Sequence, residues 1–500
     1  MGAYTLTGSH TPRSHDPRKA LVLGTLWTVA MRWSVKGLGL VSTVVLARIL
    51  SPSDYGVVAM AMLVVGLADV LTDFGAGTTL LREPNATRDF IDSTWTLGII
   101  QGLIVGSLLA LAAPLAGVYF REPRVVMVIW IIAPCVVISS FGNIGITLAR
   151  KELNFSLEFR YNVIAKVIGA GVTIASALLL RDYRALVIGV AAGYLSGLPL
   201  SYLMHPYRPR WCMACFGAMW HFSKWLLVSG IGQFATRKVD EIAAGRLGST
   251  GAFGAYTVGS DIGQLMTAEI GPPINRALLP TLASMQDSVE RMRSSTLKTL
   301  SVVLTVVLPL GAGLALVAPS ATLVLLGPKW TAATPFIAIF ALVGSVRVLS
   351  GPVAMLLLVM GHSKQQARIV WAEFGLFGLA ALALVPSLGF VGLAYARLVS
   401  AVLIITIYLA IGRKYAGLHV RQVTRVIWRP CIGVGLMAAL LPLFFYIGHA
   451  PITQLAVQVV AGAAIYLVWL FGSWLMVGRP DGLERMVLER LAMKSRPDIV

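Results

Sequence analysis

"YGVVAMAMLVVGLADVLTDFGAGTTLL", residues 55–81, is apolar over most of its length and long enough to cross about 30 Å of hydrocarbon as a helix. It nevertheless carries two carboxylates, Asp69 and Asp73, one helical turn apart. A carboxylate at that depth is costly unless it is paired or meets water. The stretch therefore predicts a membrane-spanning helix and, beside it, a polar interior for that helix to face.

The rest of the chain agrees with the first half of that reading. Of 500 residues, 57% are hydrophobic and 13% charged, against about 25% charged in soluble domains. Apolar stretches of spanning length recur from Leu21 to Val477, which excludes a soluble multi-domain protein, and the short alternating segments of a β-barrel are missing. The expected class is an all-α polytopic membrane protein of about fourteen helices, at residues 20–48, 55–81, 90–119, 124–149, 157–180, 184–204, 221–247, 253–284, 296–320, 331–360, 365–386, 389–412, 425–447 and 453–478. No connecting loop is long enough to fold as a domain, so function must reside among the helices.

The formal charge of +19 raises the question of nucleic acid. Counting the first turns of the helices, twenty-six Lys/Arg fall on one predicted side of the membrane and seven on the other, with Arg413, Lys414, Arg421, Arg425 and Arg429 the densest group. By the positive-inside rule both termini are cytoplasmic, and the excess charge is mostly topological. Nucleic acid is not an expected partner. The N-terminus lacks the short apolar core and cleavage site of a signal peptide. Cys212 and Cys215, near His205 and His221, form H-x6-C-x2-C-x5-H, which is not a standard zinc spacing, so no metal is expected and the thiols read as ordinary. Two glycosylation sequons, at Asn85 and Asn154, fall on the inner side and read as chance.

"ARILSPSDYG" (47–56) and "GRLGSTGAFG" (245–254) echo one another at an offset of 198, aligning Arg48 with Arg246, Ser51 with Ser249, Tyr55 with Phe253 and Gly56 with Gly254. Both occupy the first outer loop of a six-helix block, as in transporters built from parallel repeats. The expected organisation is a cytoplasmic tail (1–19), a six-helix lobe (20–204), a cytoplasmic loop (205–220), a second six-helix lobe (221–412), two additional helices (413–478) and a cytoplasmic tail (479–500). That last tail suits either a helix on an anionic membrane surface or a plain solvated one.

Eight basic residues lie inside the predicted spans: Arg32, Lys36, Lys166, Arg237, Lys238, Arg276, Arg347 and Arg397. Against them stand Asp69, Asp73, Asp240, Glu241, Glu269 and Glu373. Each costs about 2.5–3.5 kcal/mol at a helix centre, so they must face one another or a watery cavity. Arg32 and Asp69 come level about 20 Å in, and Lys36 and Asp73 follow each by four residues, which suggests a charged seam between the first two helices. Such a seam can line a cavity, or it can merely fix how the helices pack. In "ATRKVDEIAAGR" Arg237 reaches Glu241 at i,i+4, leaving Lys238 and Asp240 without a good local partner. In "TAEIGPPINRALLP" Pro272 and Pro273 must bend or break the helix, between Glu269 and Arg276. Arg32, Lys36, Arg237, Lys238 and Arg276 are the candidate substrate-binding residues, for an anionic group. Asp69, Asp73, Asp240 and Glu269 are candidates for ion coupling. No catalytic constellation is present.

"LARILSPSDYGVVAMAMLVVGLADVLTDFGAGTTLLRE", "ITLARKELNFSLEFR" and "GPPINRALLPTLASMQD" resemble the bacterial polysaccharide exporters that flip lipid-linked oligosaccharides, within the multidrug/oligosaccharidyl-lipid/polysaccharide exporter superfamily. The resemblance spans nearly the whole chain. It implies two six-helix lobes around a central cavity, alternating access, no cofactor, and a substrate of sugars on undecaprenyl pyrophosphate moved from the inner to the outer leaflet. It leaves room for coupling to protons or sodium. Membrane lipids and the polysaccharide polymerisation machinery are the implied partners. A drug/cation antiporter would call for an acid-rich cavity, which eight bases against six acids disfavour. A glycan polymerase or ligase would need acid/base or metal chemistry near the outer face, and the short outer loops supply none.

Overall fold

The computed structural model describes residues 17–72, 80, 83, 86–445, 447 and 450–478. Among them every regular element is helical: α1 (Pro17–Ile49), α2 (Pro52–Thr72), α3 (Arg88–Phe120), α4 (Arg124–Ser140), α5 (Gly145–Lys151), α6 (Phe155–Leu180), α7 (Arg184–Met204), α8 (Phe216–Leu247), α9 (Thr250–Ala268), α10 (Gly271–Ala283), α11 (Val289–Leu316), α12 (Ala318–Leu325), α13 (Thr334–Val359), α14 (Ser363–Leu388), α15 (Gly392–Ala416), α16 (Val420–Leu440) and α17 (Pro451–Met476). Ten helical stretches among the described residues are long and apolar enough to cross a membrane, eleven when α4 and α5 are taken as one bent span, and one of the ten, Ser363–Ala416, holds two helices. The chain is thus a multi-pass membrane protein. Leu111, Leu179 and Leu382 are 74%, 84% and 76% exposed, a degree of apolar exposure that only lipid tolerates along a whole helix face.

Two departures from uniform helices have local causes. The expected break at "GPP" is present: α9 ends at Ala268, and α10 restarts at Gly271 with Pro272 and Pro273 in its first turn, where a missing N–H costs nothing. The single helix expected over 124–149 is instead bent by 59° between α4 and α5. Asn143 holds that bend. Its backbone N–H donates to Ser201 Oγ at 2.8 Å and its Nδ2 to the Tyr207 carbonyl at 2.6 Å, while its Oδ1 accepts from Gly145 N at 2.9 Å. Asn154, the residue of one sequon, caps α6 by accepting from Leu157 N at 3.4 Å; Asn85 lies outside the described residues.

By internal contacts the chain divides into two compact units, Met1–Gly254 and Ala255–Val500. In the first, α1 packs mainly on α6, α6 on α7, α3 on α4, and α2 against α3, α4 and α8. Within the first unit the loop 205–220 is tied down on α3. Asp92, 3% exposed, accepts from Tyr207 Oη at 2.7 Å and Arg210 N at 3.2 Å, and Thr96 Oγ1 accepts from Cys212 N at 3.0 Å. In the second unit α13 is central, packing on α10, α11, α14 and α15, with α16 on α11 and α17 on α16. Gly259 and Gly263 bring α9 against α13: a Cβ on either would fall 2.6–2.8 Å from α13 atoms. Small residues at such crossings are how helices associate where lipid removes the hydrophobic drive.

The repeated decapeptides meet inside the first unit. A Cβ on Gly56 would stand 1.8 Å from the Thr250 carbonyl oxygen, and one on Gly254 would stand 1.9 Å from that of Pro52. Pro52 and Thr250, like Gly56 and Gly254, are partners at the offset of 198, so the contact maps onto itself when the two segments are exchanged.

Candidate functional site

The sequence places three cations along one seam of the first unit. Arg32, Lys36 and Gly39 share a face of α1 by helical spacing. A Cβ on Gly39 would lie 3.9 Å from Lys166 Cε on α6, and one turn back Asn162 Nδ2 donates to Met31 Sδ at 3.5 Å. Arg32 is half-buried and Lys36 and Lys166 are exposed. The principal neighbour of α1 is α6, and Lys166 of that helix lies beside the α1 face that carries Gly39. Lys166 and Asn162 join it from a helix that sequence spacing alone did not connect to α1.

Asp69 is on α2, exposed, and accepts from the Tyr194 hydroxyl of α7 at 3.4 Å. Asp73 lies outside the described residues. α2 also packs on α8, where a Cβ on Gly66 would lie 3.4 Å from Phe234 and one on Gly230 would lie 2.9 Å from Val70. This sets the helix of Asp69 beside the helix of Arg237 and Lys238. Arg237 is exposed, and Asp240 is buried at 4% exposure. Lys238 is not left without a local partner: its Nζ pairs with Glu241 at 2.5 Å, using i,i+3 spacing.

In the second unit Glu269 occupies the turn between α9 and α10, half-buried, and Arg276 is exposed on α10. Three charges that were counted but not assigned to a site gather on consecutive helices: Arg347 (α13) and Arg397 (α15) both approach Glu373 Oε1 (α14), at 2.9 and 3.8 Å. The signal was there in the sequence, since all three lie well inside apolar spans, but their convergence depends on helix rotation. Asp261 is a further carboxylate within α9.

The end of the first unit where α3 gives way to α4 is clasped by polar contacts. Glu122 takes two hydrogen bonds from Arg124, at Nε and Nη2, both 2.8 Å, and one from Thr250 Oγ1 at 2.9 Å. Arg246 Nη1 donates to the Tyr119 carbonyl at 2.8 Å. The Arg124 hydrogen bonds, with help from Thr250, hold the Glu122 carboxyl down from its ordinary 4.5 to about 2.

Among the described residues no three His, Cys, Asp or Glu side chains gather as metal ligands.

The model of the family described as "Polysaccharide biosynthesis protein" matches residues 45–335. Lipopolysaccharide biosynthesis protein WzxC of Escherichia coli (strain K12) is 25% identical over 68% of this chain and 70% of its own length. Succinoglycan biosynthesis transport protein ExoT of Rhizobium meliloti (strain 1021) is 24% identical over 63% of this chain and 64% of its own. Among solved structures, the inward closed conformation of lipid II flippase MurJ superposes with a TM-score of 0.72 at 12% identity, covering 91% of this chain and 99% of that one, so the two chains share a fold.

Proposed function

Since the chain belongs to the family of polysaccharide biosynthesis proteins, we propose that it is a flippase carrying undecaprenyl-pyrophosphate-linked oligosaccharide from the inner to the outer leaflet of the bacterial cytoplasmic membrane. The observation that carries this reading is the cationic row of Arg32, Lys36 and Lys166 along α1 and α6. Charges within apolar helices have to meet partners, an anion or water rather than acyl chains. A pyrophosphate supplies the anion, and the polyprenyl tail stays in the bilayer against the apolar faces. In the first unit Asp69 beside Tyr194, with Asp73 and Asp240, supplies carboxylates for proton or sodium coupling, and Arg237 and Lys238 are further anion contacts; in the second unit Glu269 and Arg276 are the corresponding candidates. Transport proceeds by alternating access. The outer clasp of Glu122, Arg124, Thr250 and the Gly56/Gly254 crossing forms the closed end and parts when the sugar leaves. No covalent bond is made or broken.

The test is genetic and chemical. Deleting the gene should cause lipid-linked oligosaccharide to accumulate on the inner leaflet. Accumulation of polymerised but unligated glycan on the outer side would point to an enzyme instead, and an unchanged lipid-linked pool would remove the proposal.

A further inference from the structure

Two helices of the second unit begin with the same pattern: "HSKQQARIVW" (362–371) opens α14 and "HVRQVTRVIW" (419–428) opens α16. At an offset of 57 His362 meets His419, Arg368 meets Arg425 and Trp371 meets Trp428, while Lys364 meets Arg421. Each run sets a cation, a second cation four residues on and a tryptophan three further, which is one face of a helix. The fold turns that face outward both times. Lys364, Arg368, Arg421 and Arg425 are exposed, with Trp371 and Trp428 at 65% and 38%. The helices are held by other residues: Ile369 packs in a core cluster with Ile404 and Tyr408 of α15, and Val423 packs with Leu300 and Leu304 of α11.

Both helices start at one end of the unit. The His362 ring lies 4.0 Å from that of Tyr415, and Gln365 Nε2 donates to Tyr415 Oη at 3.2 Å, at the close of α15, from which the chain passes into α16. From first cation to tryptophan is about 10 Å along each helix axis. Past the tryptophans the exposed residues include Leu379 and Leu382 on α14 and Ile432 on α16. Cation, then indole, then aliphatic surface is the order met on passing from lipid phosphates through the interface to acyl chains. Glu373 is the one carboxylate side chain in residues 362–431, and Arg347 and Arg397 approach it; Glu290 of α11 pairs with Arg293. Among the described residues no carboxylate pairs with the four exposed cations, so the repeated faces present uncompensated positive charge where lipid phosphates lie.

We propose that these two faces are docking sites for anionic phospholipid headgroups, each pair of cations holding one lipid phosphate while Trp371 or Trp428 packs on the glycerol region below it. The arginine of each pair offers a planar fork that takes two phosphate oxygens, and the cation one turn before it adds charge. The sites lie on the outside of the helices and do not depend on what the protein carries.

The full chain, purified in detergent, is titrated with phosphatidylglycerol and, as a zwitterionic control, with phosphatidylcholine of the same acyl chains, and bound lipids are counted by native mass spectrometry. The unsubstituted chain should hold two phosphatidylglycerols more tightly than any phosphatidylcholine. Lys364→Gln/Arg368→Gln should release one and Arg421→Gln/Arg425→Gln the other, each site weakening about thirtyfold, at about fivefold per cation near an anionic surface. Arg291→Gln/Lys298→Gln removes equal charge from exposed positions on α11, which lies at the same end because Arg293 Nη1 donates to the Gly417 carbonyl at 3.3 Å, but which carries no tryptophan. That control should leave both lipids bound. No preference for phosphatidylglycerol in the unsubstituted chain, or as large a loss in the α11 control, overturns the proposal. Displacement of the lipids by inorganic phosphate at equal concentration would make these free-anion sites and would overturn it as well.

Discussion

Replacing Gly56 by alanine probes the crossing of α2 and α9. The added Cβ would stand 1.8 Å from the Thr250 carbonyl oxygen, where ordinary contact begins at 3.4 Å. The helices must therefore part by about 1.6 Å, since a backbone oxygen cannot rotate aside as a side chain would. Overpacking of this kind costs about 1–3 kcal/mol, from which alanine's better helix propensity recovers at most about 1 kcal/mol. A net cost of up to about 2 kcal/mol falls only on the state in which these ends touch, and shifts the balance toward the parted state by up to about thirtyfold. Gly254→Ala, whose Cβ meets the Pro52 oxygen at 1.9 Å, should do the same, and Gly251→Ala, with its nearest neighbour at 3.9 Å, should do nothing. The assay is labelling of a single reporter cysteine at Val57, which is fully buried beside the crossing. An impermeant maleimide is added outside the cells, with Cys135, Cys212, Cys215 and Cys431 replaced. Equal labelling rates in all three variants and the parent would refute the idea that this contact closes the outer end.

Three further outcomes follow from the site. Arg32→Ala and Asp69→Ala should each cut polysaccharide export about ten- to a hundredfold while the protein still inserts, with Arg32→Lys intermediate; full export by both alanine variants would leave the charges a packing role only. Because the Glu122 carboxyl is held near about 2, below its unfolded value near 4.5, its contribution to the outer clasp is present in full above about pH 4.5 and is lost as pH falls toward 2. Thermal stability should therefore be insensitive to Glu122→Gln's missing titration across neutral pH, and the fall in stability between pH 4.5 and 2 should be shallower in that variant. Asp92→Asn should loosen the 205–215 strap by weakening the Tyr207 and Arg210 contacts, which limited proteolysis between Arg208 and Arg210 would reveal as faster cleavage.

Helix existence was legible because the apolar runs are long and interrupted by charged turns, and the proline break was legible because two adjacent prolines leave a helix no alternative. The α4–α5 bend was not, since it depends on Asn143 finding Ser201 and Tyr207, partners about sixty residues away in the chain. The same limit governs the charges. Their depth could be read by counting residues, but which charge meets which depends on helix rotation and neighbour choice. α1 packs mainly on α6, which brought Lys166 beside Gly39, a neighbour that residue counting along the chain did not supply. Lys238 took Glu241 at i,i+3 because that spacing is as close on a helix as i,i+4. The offset of 198 read as a weak echo in letters and became a reciprocal backbone contact in space.

The most direct measurement is translocation by the purified chain in liposomes that carry undecaprenyl-pyrophosphate-linked oligosaccharide, with the leaflet read by an impermeant oxidant of the glycan. The chain should equilibrate the glycan between leaflets, and a triple Arg32→Ala, Lys36→Ala, Lys166→Ala variant should leave it where it was loaded. Translocation by the triple variant at the parent's rate, or none by the parent, would contradict the assignment of the α1–α6 row as the pyrophosphate's path.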